Sequence, residues 1–99
     1  MLLIANLHSH PHTADEVAAT LCALSTETRK EPGCLSYTVH RRQGQPEAFV
    51  VCELYRDQAA CNQHLASDPV RLALARFDTL LAAPPTLQMC DTISMPSPL

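Results

Sequence analysis

Leu2 to His8 opens the chain as a short apolar run, and the polar stretch SHPHT follows it. Thr13-Ala14-Asp15-Glu16 has the form of a capping box, in which the threonine hydroxyl takes one orphan N–H and the glutamate reaches back to another. Behind it Val17, Leu21, Leu24 and Thr28 recur at helical spacing, with Asp15, Glu27, Arg29 and Lys30 near the ends or on the wet side. Pro32-Gly33 ends this first helix. Proline disfavours a helical residue before it, and glycine is expected to supply the positive φ of a tight turn.

From Cys34 to Arg42 the pattern switches to period two, with Leu35, Tyr37 and Val39 on one face. QGQP reads as a loop, and Ala48 to Tyr55 as the partner strand of a hairpin. That strand is apolar on both faces, Phe49, Val51 and Tyr55 on one and Val50, Cys52 and Leu54 on the other. Asp57 caps a short helix reaching about as far as Ala66, and Asp68-Pro69 opens another, proline being welcome in a first helical turn. Leu72, Phe77 and Leu80-Leu81 supply its apolar side. Pro84-Pro85 closes it, Thr86 to Ile93 forms a last strand, and SMPSPL reads as a frayed tail.

The order β-α-β-β-α-β predicts an α+β, ferredoxin-like split β-α-β fold with an antiparallel four-stranded sheet. It spans residues 1–93 as one domain, with 94–99 as a flexible tail. Helices of one chain can cover only one face of such a sheet, yet the third strand is apolar on both. The economical cover for the second face is the same face of a second copy, so the chain is expected to be a homodimer.

Composition narrows the function classes. A formal charge of −3 and a single lysine, Lys30, give no electrostatic footprint for nucleic acid. No segment is long enough to span a bilayer, and MLLIANLHSH lacks the basic region and cleavage site of a signal peptide. Five cysteines without a C-x-x-C pair read as packed free thiols in a reducing cytoplasm. His8, His10 and His12 alternate, but period-two spacing carries them apart, so a polar loop is preferred to a metal site.

Glu53 is the sharper anomaly, a carboxylate on the face shared by Phe49, Val51 and Tyr55. Burying it costs several kcal/mol unless it is paired. It is either a structural glutamate with Arg41, Arg56 or a second copy's arginine as counterion, or a pocket carboxylate that accepts a proton or orients a substrate hydroxyl. His64, on the short helix after that strand, folds back over its end and is a candidate acid, base or donor. Asn6 is a polar intruder in the first strand, able to hold a developing oxyanion if it faces the cavity.

EPGCLSYTV followed by FVVCELYRDQAACNQHLASDPV resembles the antibiotic-biosynthesis-monooxygenase domain family, which includes small quinol monooxygenases. The matching residues are Glu31-Pro32-Gly33, Cys34-Leu35 with Tyr37, Glu53 with Tyr55, Asp57, His64 and Ser67. The resemblance implies a dimeric α+β barrel with a pocket between sheet and helices in each subunit. It also implies oxidation of a small aromatic quinol or polyphenol by dioxygen, with no metal, flavin or other cofactor. His64, Asn6 and Tyr55 are then the catalytic candidates, with Glu53 and Tyr37 as substrate-binding ones. Tyr55 stands where many relatives carry tryptophan, and VRLALARF offers no residue able to ligate haem iron as the haem-degrading branch does. Two other readings stay open on this fold: a non-catalytic dimeric module that binds a small apolar ligand or serves a stress response, and an isomerase or lyase using the same pocket.

Overall fold

A computed structural model describes residues 1–94 of the chain. Four strands, β1 (Leu2–His8), β2 (Cys34–Arg41), β3 (Ala48–Tyr55) and β4 (Thr86–Cys90), form one sheet in the order β2-β3-β1-β4. Every neighbouring pair is antiparallel. Helix α1 (Ala14–Thr28) crosses between β1 and β2, while α2 (Gln58–Leu65) and α3 (Asp68–Leu80) cross between β3 and β4. This is the ferredoxin-like α+β arrangement read from the element order.

The pleat explains where the core sits. On β3, Phe49, Val51, Glu53 and Tyr55 are buried on the helix side, whereas Val50, Cys52 and Leu54 are only half-buried on the other. Leu3, Ala5 and Leu7 of β1 lie opposite Glu53, Val51 and Phe49 and share their face. Val17 and Leu21 of α1 and Ala73, Phe77 and Leu80 of α3 close over them. Leu2, Ile4, Val50, Cys52 and Leu54 remain on the open face of the sheet.

Several local expectations give way to tertiary contacts. Thr13 does not cap α1 with its side chain; a 3₁₀ turn, Pro11–Thr13, leads into the helix instead. Its hydroxyl donates to the Leu80 carbonyl at 2.6 Å and so ties the start of α1 to the end of α3. Gly33 has no positive φ, which belongs to Gly44 at 74° in the β2–β3 loop. A Cβ at Gly33 would overlap that of Ala60, so close approach of α2, not turn geometry, requires glycine there.

A register irregularity between Cys34 and Ser36 turns Leu35 outward, leaving Tyr37 and Val39 on the inner face. Leu72 is likewise exposed, and the buried stripe of α3 is Val70, Ala73, Phe77 and Leu80. β4 stops at Cys90, short of Ile93. Apart from Ser94, the tail expected at 94–99 lies outside the described residues. No helix among those residues is long and apolar enough to cross a membrane.

Candidate functional site

Four elements converge at one end of the sheet. Tyr37 on β2 and Glu53 on β3 are directly opposed partners, so their side chains leave the same face side by side. Asp57 starts α2 by accepting from the Ala60 N–H at 2.8 Å, and the close contact at Gly33 seats the helix against the sheet. The last turn of α2 then carries His64 back over β3. Glu31 arrives from the turn after α1, where its N–H donates to Thr28 and its carbonyl accepts from Cys34.

His64 is 3% exposed and lies between two carboxylates. Its Nδ1 is 3.2 Å from both oxygens of Glu31, and its Nε2 is 3.2 Å from Glu53 Oε1. The Tyr55 hydroxyl donates to that same Oε1 at 2.5 Å. With a carboxylate at each ring nitrogen, the arrangement is best satisfied by two N–H donors, which is the imidazolium. Burial pulls the His64 pKa down, but the contacts with Glu53 and Glu31 and their negative charges outweigh it, and the net shift is upward. Both ring nitrogens are thus engaged by carboxylates, Nδ1 by Glu31 and Nε2 by Glu53.

Both tyrosines stay protonated. Burial comes first in raising the Tyr55 pKa, followed by its hydrogen bond to Glu53. Burial and then the Glu53 charge raise that of Tyr37. Neither arginine expected as a counterion reaches Glu53. Arg56 pairs with Asp57 at 3.5 Å, and the Arg41 guanidinium lies over the Phe49 ring. Burial raises the thiol pKa of Cys34 and of Cys61, which fits packing better than nucleophilic chemistry.

Beside this cluster is a cavity of about 230 Å³ between the sheet, α1 and α3. Its walls are mainly aliphatic, with Phe77 as an aromatic side and Leu74 and Leu87 among the exposed residues at its edge. Tyr37, Glu53 and His64 supply its polar end. Tyr37 itself is 3% exposed. Tyr55 does not line the cavity but packs behind Glu53 with Leu3, Ala60 and Cys61.

Asn6 is not brought to this site. It is exposed and points from β1 to the open face, because it is one pleat out of phase with Ala5 and Leu7. The His10 and His12 rings stack at 5.7 Å, and among the described residues no three His, Cys, Asp or Glu side chains are grouped to hold a metal ion. Glu31 was missed as a site residue, since EPG reads first as the punctuation that ends a helix. The available signal was a carboxylate three residues before the strand that carries Tyr37.

The fold is that of a small α+β protein in which a Glu–His–Glu cluster lies beside a partly open, mainly apolar cavity. The chain belongs to the antibiotic biosynthesis monooxygenase family, which it matches over residues 1–76. It is 28% identical to a crystal structure described as an antibiotic biosynthesis monooxygenase, with a TM-score of 0.87 over 95% of this chain and 100% of that one. Rv0793 from Mycobacterium tuberculosis is 27% identical, with a TM-score of 0.90 over 97% of each chain. The protein sll1783 of Synechocystis is 24% identical over 89 residues. That match covers 90% of this chain but only 60% of that curated relative.

Proposed function

We propose that the protein is a cofactor-independent monooxygenase that oxidises a small aromatic quinol or polyphenol with dioxygen. The observation that carries the reading is the buried carboxylate of Glu53 at the polar end of a ring-sized apolar cavity, with the His64 imidazolium 3.2 Å away. An engineered apolar cavity of about 150 Å³ holds benzene, so the cavity here is of a size to admit one substituted ring. Family membership and the monooxygenase description of a structural relative support the reaction class.

In this mechanism Glu53 accepts the proton of a substrate hydroxyl. Tyr37 donates to the oxygen that becomes anionic, and the fixed charge of His64 stabilises that anion. Tyr55, by holding Glu53 Oε1, is a positioning residue. The electron-rich anion gives electrons to dioxygen and forms a carbon–oxygen bond. The resulting peroxide anion takes the proton back from Glu53, and the hydroperoxide then loses water to leave a carbonyl. One oxygen atom stays in the product and the other leaves as water with two substrate hydrogens. Electrons and protons balance without an external reductant.

A second copy completes the assembly in this reading by covering Leu2, Ile4, Val50, Cys52 and Leu54 on the open face. An obligate interface of that kind buries about 2,000 Å² or more in total. The functional test is oxygen uptake with a panel of quinols. Wild-type protein should turn over at least one, and Glu53→Gln should lose about 100-fold in rate. Asn6→Ala, altered on the far face, should keep it. Equal rates in wild type and Glu53→Gln would dismiss Glu53 as the proton acceptor.

A further inference from the structure

Proton transfer from a substrate to Glu53 changes the surroundings of His64 as well as the substrate. At rest the buried imidazolium has a carboxylate at each ring nitrogen, Glu31 at Nδ1 and Glu53 at Nε2. Once Glu53 is protonated, the Nε2 side is neutral. A buried imidazolium with only neutral neighbours is driven by desolvation to shed its proton. Without a second carboxylate, the positive charge would be lost just as the substrate becomes an anion.

Glu31 is placed to prevent this. It does not line the cavity, and it meets His64 on the nitrogen opposite Glu53, with both carboxylate oxygens 3.2 Å from Nδ1. The turn fixes its backbone, its N–H donating to the Thr28 carbonyl at 3.0 Å and its carbonyl accepting from the Cys34 N–H at 3.1 Å. The Glu31 side chain is 27% exposed and that of His64 is 3% exposed. Water therefore screens the carboxylate more than the imidazolium, and the pair turns a positive face to the cavity.

No other group around His64 can stand in for Glu31. The rings of Tyr37 on β2 and Tyr55 on β3 lie 6.0 and 5.3 Å from the imidazole, and both tyrosines stay protonated. Burial raises the Cys34 and Cys61 thiols near the two carboxylates, so they stay neutral. The cations of this region are held by backbone carbonyls. Arg29 donates to that of Tyr37 at 2.9 and 3.3 Å, and the Met1 ammonium to that of Tyr55 at 2.9 Å. Among the described residues, neither Glu31 nor Glu53 has an ion pair except with His64.

We infer that Glu31 is a positioning residue of the reaction, acting through His64 to keep the ring an imidazolium while Glu53 carries the substrate proton. In this step the substrate O–H bond breaks as an O–H bond forms on Glu53, and no electrons leave the site. The two glutamates, His64 and the substrate carry one negative charge in total before and after. The inference rests on Glu53 being the proton acceptor, as proposed above, and its first test needs no oxygen chemistry.

Glu53→Gln is a neutral stand-in for the protonated glutamate. In that variant, ¹⁵N NMR of the histidine rings should show both His64 nitrogens protonated at pH 7. In Glu31→Gln/Glu53→Gln the ring should be neutral at that pH, titrating about one pH unit or more lower. Glu31→Asp in place of Glu31→Gln should recover part of that shift, which loosened packing alone would not explain. A neutral His64 at pH 7 in Glu53→Gln, or the same titration in the single and double variants, would overturn the inference. The single variant keeps the test open if the double folds poorly. In oxygen uptake with a reactive quinol, the high-pH limb of the rate profile should move to lower pH in Glu31→Gln than in the wild type. An unmoved limb would sink the role of Glu31 and leave that of Glu53 standing. An imidazolium retained in Glu53→Gln, with no quinol oxidised by the wild type, would sink the oxygenase reading alone.

Discussion

Replacing Glu31 by glutamine removes one of the two charges that hold His64 as an imidazolium while keeping the side chain's size. Both Glu31 oxygens lie 3.2 Å from Nδ1, a shared and slightly long contact. A hydrogen bond to a charged group is worth about 1.5–3 kcal/mol. Glu31 is 27% exposed, so water recovers part of the loss, and about 1–2 kcal/mol is the reasonable figure. The sign with pH follows from the raised pKa of His64. The stabilisation is fully present below the unfolded histidine value of about 6.5 and fades as pH rises through the folded value. Urea unfolding at about pH 5.5, where carboxylates are still ionised, should therefore show the full loss in Glu31→Gln. Near pH 9.5 the difference should shrink to less than about half, leaving the hydrogen bond from a neutral imidazole to the Glu31 carboxylate. The His64 ring signal in NMR should titrate at lower pH in the variant than in the wild type. A loss of equal size at both pH values, with an unmoved His64 titration, would refute the clasped imidazolium.

Gly33→Ala should destabilise the protein by about 1–3 kcal/mol through overpacking against Ala60, and Ala60→Gly in the same chain should recover part of it. Thermal melts of the two single variants and the double read this directly; strict additivity would show that the close approach is not what requires glycine. Wild-type protein should sediment as a homodimer at low micromolar concentration. Ile4→Lys, placed on the open face opposite Cys52 and Gln88, should convert it to monomer or prevent folding. A wild type that sediments as a monodisperse monomer would remove the second copy.

The sheet was legible in the sequence because period and punctuation agree along it. Phe49, Val51, Glu53 and Tyr55 fall on one face by alternation alone, and the structure buries all four. The same rule identified Glu53 as an anomaly, and the short helix expected after β3 reads as folding His64 back over that strand's end. What could not be read was anything decided by contact between distant segments. Thr13 looked like a cap, but a carbonyl at Leu80, supplied by α3, competes for its hydroxyl. Gly33 looked like a turn residue, but the reason for glycine is Ala60 on another element. The counterion of Glu53 was sought among nearby arginines, whereas a histidine clasped by a second carboxylate fills the place. Asn6 fails for a simpler reason. Alternation along β1 alone puts it out of phase with its apolar neighbours, and weighing its chemistry before its phase led to the wrong face.

The most direct measurement of the central claim is a single turnover under ¹⁸O₂ with protein stripped of metal and flavin, using a quinol that the oxygen-uptake panel shows to react. The account predicts one ¹⁸O atom in the product and one in water, with Glu53→Gln slowed and the isotope pattern unchanged. Oxygen incorporated from solvent, or turnover only after a metal or flavin is restored, would contradict it.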